Sequence, residues 1–131
     1  MSIRVLAVDD EPDVLRLVEI KLKKAGFDVI TARDGEEGLN RAISDQPDVV
    51  LMDVMMPKMD GFTAASKIKG QMSPPLILML TAKGQESDVI KGISGGADDY
   101  IIKPFAPREL IARINVALIK AGKPAVTAQE G

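Results

Sequence analysis

The feature that most constrains the fold is a short apolar run that ends at a carboxylate. Residues Val49–Met52 are four consecutive apolar residues, two of them β-branched, and Asp53 follows directly. Such a run is typical of a strand that is covered on both faces of its sheet. Pro57 and the pair Asp60-Gly61 then indicate a loop and a turn before the next helix. Because open α/β sheets place their ligand chemistry at the carboxyl ends of strands, we interpret Asp53 as the central functional residue.

The rest of the chain repeats this pattern of strand and helix. The apolar runs predict strands at residues 3–8, 27–32, 49–52, 76–80 and 100–102. Apolar stripes at helical spacing predict helices at residues 12–25, 35–46, 62–69, 85–93 and 107–120. The stripe of the first helix is Leu15, Val18, Leu22 and Ala25, and that of the second is Leu39, Ala42 and Ile43. Five alternations predict an α/β fold, a parallel sheet with helices on both faces and right-handed crossovers. We expect one domain over residues 1–120, followed by a flexible tail or a truncated interdomain linker over residues 121–131.

The composition excludes several kinds of chemistry. The chain has no cysteine and no histidine, so disulfides, zinc–thiolate sites, thiol catalysis and imidazole bases are all excluded. Its 17 basic and 19 acidic residues give a net charge of −2, which favours neither direct nucleic-acid binding nor binding to an anionic membrane. We find no leader segment and no apolar run long enough to span a bilayer, so we expect a cytoplasmic protein without membrane insertion.

The polar residues that remain informative follow the predicted strands. Asp9 and Asp10 come after the first strand, Asp53 after the third, Thr81 after the fourth and Lys103 after the fifth. Carboxylates gathered at one sheet edge repel each other, and an oxygen-only ligand set suits Mg²⁺ better than zinc or copper. A carboxylate nucleophile, a divalent cation, a lysine and a hydroxyl together favour phosphoryl transfer onto Asp53.

These residues lie in segments that resemble the response-regulator receiver domains, the CheY-like superfamily. The matching segments are Val8–Glu11, Leu51–Pro57 with Asp60-Gly61, Leu80–Ala82, and Gly96–Phe105. They occur in the order and spacing of that family over approximately residues 3–120. The resemblance implies a (βα)5 flavodoxin-like fold with a five-stranded parallel sheet of order 2-1-3-4-5.

The resemblance also implies a separate role for each acidic residue. Asp53 would accept a phosphoryl group from the phosphohistidine of a sensor histidine kinase or a phosphotransfer protein. Asp10 would bind Mg²⁺ directly and Asp9 mainly through water, with Asp53 and the backbone carbonyl of Met55 completing the protein ligands. The protein would then be a signalling switch that assists its own phosphorylation and dephosphorylation, not an enzyme with a separate substrate.

Further roles implied by the resemblance concern the phosphate and the switch. The amide of Ala82 and the ammonium group of Lys103 would bind the phosphoryl oxygens, and Thr81 would turn toward them while Tyr100 moves inward. The Lys103–Pro104 peptide bond is typically cis in the family. A downstream target protein would bind the surface formed by the predicted fourth helix, the fifth strand and the predicted fifth helix. Both a monomer and a phosphorylation-dependent dimer are compatible with the family.

Simpler interpretations of single residues and rival functions stay open at this point. Asp9-Asp10 is also compatible with a helix cap, and Thr81 with the cap of another helix. Asp53 and Lys103 are compatible with solvated side chains, and Tyr100 is compatible with packing within a strand. One alternative is a receiver cut from a longer regulator, for example a DNA-binding transcription regulator. A Mg²⁺-dependent phosphohydrolase is less compatible, because those enzymes usually carry a second aspartate where this chain has Met55. A receiver that only binds a partner is the third alternative.

Overall fold

The computed structural model describes residues 2–56, 58–71, 73–82 and 96–126. Strands and helices alternate as the sequence predicts, except that the predicted helix at 85–93 lies outside the described residues. The elements are β1 (Arg4–Val8), α1 (Pro12–Lys24), β2 (Asp28–Ala32), α2 (Gly35–Asp45), β3 (Val49–Asp53), α3 (Gly61–Lys69), β4 (Leu76–Ala82), β5 (Asp99–Lys103) and the C-terminal helix α4 (Pro107–Lys120). None of the helices in these ranges is long and apolar enough to cross a membrane.

The five strands form one parallel sheet in the order β2-β1-β3-β4-β5. This confirms the order that the family resemblance implies. The central strand β3 is buried at all five positions, as its unbroken apolar run predicts. β4 extends two residues beyond its predicted end and β5 one residue, so Thr81 and Lys103 belong to the strands themselves.

The core consists of two apolar layers, one on each face of the sheet. In β3, Val49 and Leu51 point into the layer beneath α1 and α4, whereas Val50 and Met52 point into the layer beneath α2 and α3. Successive side chains of a strand point to opposite faces, so a strand that serves both layers must be apolar throughout. The double coverage fixes β3 at the centre and directs its last residue, Asp53, to the carboxyl edge.

Helix α2 differs from its predicted apolar stripe. Ala42 is buried as expected and Leu39 is partly buried, but 53% of Ile43 is exposed to solvent. The helix instead packs closely through Gly38, whose missing side chain leaves room for Val8 of β1. Gly35, Gly38 and Ala42 form the buried face of α2, and Ile43 lies outside this face, toward solvent.

The division of the chain at residue 120 stays a prediction, and residues 127–131 lie outside the described ranges. Residues 121–126, which we expected to begin a flexible tail, nevertheless contact the domain. Val126 packs against the core layer beneath α1 and α4 and is hydrogen-bonded to Asn115 of α4.

Candidate functional site

The predicted site residues meet at the carboxyl edge of the sheet. Each lies at the end of a strand or directly after one: Asp9 and Asp10 after β1, Asp53 at the end of β3, Thr81 and Ala82 at the end of β4, and Lys103 at the end of β5. Asp53 is in register with Leu80 of β4, and Ala82 is in register with Lys103 of β5. Parallel strands end at the same edge, so this register brings the side chains to one cleft, lined by Asp10, Glu11, Asp53, Met55, Ala82 and Lys103.

Three carboxylates lie close together at this edge of the sheet. Asp9, Asp10 and Asp53 each offer an oxygen atom, and these atoms lie within 4.8 Å of one another. Asp9 and Asp53 are only 2% and 6% exposed, whereas Asp10 is exposed. Carboxylate oxygens without sulfur or imidazole form the donor set that hard divalent cations prefer. The residues therefore fit Mg²⁺.

Lys103 is the cation that the protein itself places among these acids. Its Nζ lies 2.8 Å from Asp9 Oδ2 and 3.5 Å from Asp53 Oδ1. Burial lowers the pKa of Lys103, but the hydrogen bond that it donates to Asp9 and the charges of Asp53 and Asp9 outweigh this effect, and the pKa is raised overall. Lys103 is therefore an ammonium group at neutral pH and compensates only part of the charge of three acids.

The surroundings of Asp53 raise the pKa of its carboxyl group from 3.8 to about 6. Burial is the largest cause, the charge of Asp9 adds to it, and Lys103 opposes it. Desolvation and like charges both disfavour the ionised form of a carboxyl group. At neutral pH Asp53 is therefore ionised, and the free energy of this ionised form is high. A cation bound nearby would lower that free energy.

The other acids of the cluster differ in how the protein holds them. Asp9 Oδ1 accepts a hydrogen bond from the backbone N–H of Glu11 at 2.9 Å, and its Oδ2 accepts one from Lys103. Both oxygens of Asp9 therefore have protein partners. Asp10 projects from the loop between β1 and α1, where its carboxylate is open to solvent.

Thr81 carries a hydroxyl group that is buried and unsatisfied. The residue is 2% exposed, and its Oγ1 has no hydrogen-bond partner among the described residues. A buried polar group without a partner is unfavourable by about 1–3 kcal/mol, so this hydroxyl would gain from an acceptor that enters the cleft. The next residue, Ala82, is exposed at the strand end.

Two predicted site residues contribute less directly. Tyr100 lies in β5 and is partly buried against the core layer beneath α2 and α3, so it does not reach the acidic cluster. The side chain of Met55 is 72% exposed at the rim of the cleft. The Lys103–Pro104 peptide bond is cis, as the resemblance implies.

Sequence reasoning missed two residues that position the site. Glu11 holds Asp9 through its backbone amide. Gly61 supports Asp53 from the other side, because a Cβ atom at Gly61 would lie 2.1 Å from the carbonyl oxygen of Asp53. The pair Asp60-Gly61 did indicate a turn, but only the tertiary contact shows why a side chain is excluded there.

Comparison with known proteins places these observations in a wider group. Residues 5–115 match the family described as the response regulator receiver domain. The alkaline phosphatase synthesis transcriptional regulatory protein PhoP of Bacillus subtilis is 46% identical over 118 residues, which are 90% of this chain and 49% of that protein. The chain spans about half the length of the curated relatives it matches.

Solved structures resemble the chain over nearly its whole length. A putative response regulator from Chloroflexus aurantiacus is 37% identical, with a TM-score of 0.86 and coverage of 91% of this chain and 99% of that one. The chemotaxis response regulator CheY4 of Vibrio cholerae is 35% identical, with a TM-score of 0.84 and coverage of 90% and 100%.

Proposed function

The chain belongs to the response regulator receiver domain family, and on this premise we propose that Asp53 is the residue that accepts the phosphoryl group. Receiver domains are signalling switches rather than enzymes that convert a separate substrate. The observation that carries the proposal is the state of Asp53: a nearly buried carboxylate with a pKa of about 6, in one cleft with Lys103 and two further acids.

The acidic cluster would hold the Mg²⁺ ion. Asp10, Asp53 and the backbone carbonyl of Met55 are the proposed direct ligands. Asp9 would act through water, because both of its oxygens already accept hydrogen bonds from the protein. When bound, Mg²⁺ supplies positive charge that offsets the repulsion among carboxylates and phosphoryl oxygens.

The protein's own groups account for the rest of the transfer. One carboxylate oxygen of Asp53 attacks the phosphorus atom of a phosphohistidine on a sensor histidine kinase or phosphotransfer protein. The P–N bond breaks, and its electron pair leaves with the donor's imidazole. Lys103 and the amide of Ala82 bind phosphoryl oxygens, and water later hydrolyses the acyl phosphate and restores the carboxylate.

Thr81 would convert this local event into a conformational change. Its unsatisfied hydroxyl would gain an acceptor once a phosphoryl oxygen enters the cleft. Thr81 is in register with Ile102 of β5, which directly precedes Lys103 and follows Tyr100 by two residues, so movement of β4 would also move that strand. Phosphorylation would thereby shift the population of two arrangements of the surface that includes β5, α4 and the predicted helix at 85–93, where a target protein binds.

The names and lengths of the relatives support a proposal about the protein in which this domain acts. Curated relatives of about twice the length carry the names of transcriptional regulators. We infer that this receiver acts in the cytoplasm, either alone or at the start of a longer regulator, as a monomer or as a dimer formed on phosphorylation. It would contact protein partners and neither nucleic acid nor membrane directly.

The test is the intact mass of the protein after incubation with Mg²⁺ and acetyl phosphate. Wild type and Asp13→Asn, which changes an exposed acid of α1, should each gain one labile phosphoryl group. Asp53→Asn should gain none while keeping the same circular dichroism spectrum. An adduct of equal yield on Asp53→Asn would show that another residue is the acceptor.

A further inference from the structure

The C-terminal helix α4 ends in a turn that reverses the chain. Gly122 has a φ of +79°, and its N–H donates to the carbonyl of Ile119 at 3.0 Å. The N–H of Lys123 donates to the carbonyl of Leu118 at 2.8 Å. These two bonds form a Schellman motif, and Pro124 follows where the helix can no longer continue. The turn directs the next residues back along the domain.

Asn115 of α4 then binds the backbone of the returning chain. Its Nδ2 donates to the carbonyl oxygen of Val126, and the N–H of Val126 donates to Asn115 Oδ1, both at 2.9 Å. Both bonds are partly buried. One side-chain amide thus satisfies the two backbone groups of a single residue, as a neighbouring β-strand would. The contact therefore recognises an extended backbone rather than a particular side chain.

The side chain of Val126 packs against α1 at the same place. A Cβ atom at Gly26, the residue that ends the α1 turn with a φ of +104°, would lie 3.2 Å from Val126 Cγ1. Val126 also packs against the apolar layer beneath α1 and α4. Nearby, Lys123 Nζ lies 3.6 Å from Asp48 Oδ1, directly before β3. The returning chain therefore starts at the amino edge of the sheet, opposite to Asp53.

We propose that Asn115 and Gly26 form a docking seat for the segment that follows the C-terminal helix, with residues 124–126 as its occupant. The seat joins α4 and α1 through the bound segment. The polypeptide after Val126 consequently leaves the domain from the α1–α4 face at a fixed point, rather than from a helix end that swings freely. This proposal is independent of the phosphoryl chemistry, because the seat and Asp53 lie at opposite edges of the sheet.

The experiment compares amide hydrogen exchange in the full 131-residue chain by NMR. Asn115→Ala removes both hydrogen bonds to Val126. Asn40→Ala is the matched control, because Asn40 is an exposed asparagine of α2 and the change alters helix propensity in the same way. We expect the Val126 amide to exchange about tenfold faster in Asn115→Ala than in wild type and unchanged in Asn40→Ala. The amide of Ile114 reports whether α4 itself stays folded.

A second variant separates the seat from a general loss of packing. Asn115→Asp, measured at neutral pH, keeps the acceptor for the Val126 N–H but places a carboxylate oxygen opposite the Val126 carbonyl, so the Val126 amide should exchange faster than in wild type and more slowly than in Asn115→Ala. An unprotected Val126 amide in the wild type would overturn the proposal. Equal protection in wild type and Asn115→Ala would overturn it as well.

Discussion

Aspartates lie at both edges of the sheet, but their surroundings differ. At the amino edge, aspartates complete the backbone hydrogen bonding of the strands. Asp48 Oδ2 accepts from the N–H of Arg4 at 2.9 Å, and Asp98 Oδ2 accepts from the N–H of Ile77 at 2.8 Å. Lys69 Nζ lies 2.8 Å from the same Asp98 oxygen. Each of these two carboxylates therefore has both a backbone donor and a cation as partners, Lys123 for Asp48 and Lys69 for Asp98.

At the carboxyl edge, the charges are left without full compensation. Lys103 contacts two of the three acids, the pKa of Asp53 is raised to about 6, and the hydroxyl of Thr81 lacks a partner among the described residues. The difference lies in charge compensation: the fold pairs Asp48 and Asp98 with cations, whereas Lys103 offsets only part of the charge around Asp53. Stability measurements can test this contrast, because changes at the two edges should have opposite signs.

The largest effect is expected at the amino edge. Asp98→Ala leaves the buried N–H of Ile77 without an acceptor and Lys69 without its counter-charge, so the free energy of unfolding should fall by about 3 kcal/mol. Urea denaturation at pH 7.5 measures this value. Glu19→Ala removes an exposed ion pair within α1 and should cost less than about 0.5 kcal/mol. Equal losses in the two variants would contradict the structural role of Asp98.

The same kind of change at the carboxyl edge should stabilise the protein. Asp53→Asn removes a carboxylate whose folded pKa of about 6 exceeds the ordinary value of 3.8, and we expect a gain of about 2 kcal/mol at pH 7.5 without Mg²⁺. A carboxyl group with a raised pKa favours the fold below pH 3.8 and loses this contribution as the pH rises through 6. The gain should therefore shrink below pH 6 and vanish below pH 4.

Denaturation curves between pH 3.5 and 8 distinguish this effect from simple charge reduction. Asp13→Asn changes the net charge equally but affects an exposed helix residue, so it should give no comparable gain. A gain for Asp53→Asn that persists unchanged to pH 3.5 would contradict the electrostatic explanation.

Binding of Mg²⁺ should reduce the same repulsion between carboxylates and should stabilise the protein less than Asp53→Asn does. At a concentration about ten times the dissociation constant, Mg²⁺ should raise the free energy of unfolding of the wild type by about 1.4 kcal/mol. Asp10→Asn should lose this increment, whereas Asp13→Asn should retain it. Thermal denaturation with Mg²⁺ and with EDTA provides the measurement, and an equal shift in Asp10→Asn would remove Asp10 from the ligand set.

The smallest effect is expected at Thr81. Thr81→Val keeps the shape of the side chain and removes a buried hydroxyl that has no partner among the described residues, so the free energy of unfolding should rise by about 1 kcal/mol. Urea denaturation of the unphosphorylated protein tests this expectation. A loss above about 1 kcal/mol would indicate that the hydroxyl is already bound in the resting state.

The sequence predicted the fold well where the information is local. The apolar run of Val49–Met52 identified the central strand, and the stripe of Leu15, Val18, Leu22 and Ala25 identified the buried face of α1, because periodicity reports directly on burial. Ile43 was assigned wrongly, because the buried face of α2 runs through Gly35, Gly38 and Ala42, and local periodicity does not report the contact of Gly38 with Val8 of β1, thirty residues earlier.

The sequence predicted which residues lie at the candidate site but not which of them contact each other. Strand ends identified Asp9, Asp53, Thr81 and Lys103, because the carboxyl ends of parallel strands must meet. The 2.8 Å contact between Lys103 and Asp9 joins residues 94 positions apart, and it depends on strand order and side-chain direction together. The structural role of Asp98 was missed for the same reason.

The contact between Gly61 and Asp53 restricts which lengths of the neighbouring loop the protein tolerates. The N–H of Gly61 donates to the carbonyl of Val54 at 3.0 Å, so the two ends of the segment between β3 and α3 are bonded to each other. An inserted or deleted residue would separate α3 from the acceptor carbonyl, whereas the exposed side chain of Met55 can vary without moving the backbone. We therefore expect the protein to tolerate substitutions in this segment better than insertions or deletions, because substitutions would leave the position of Asp53 unchanged.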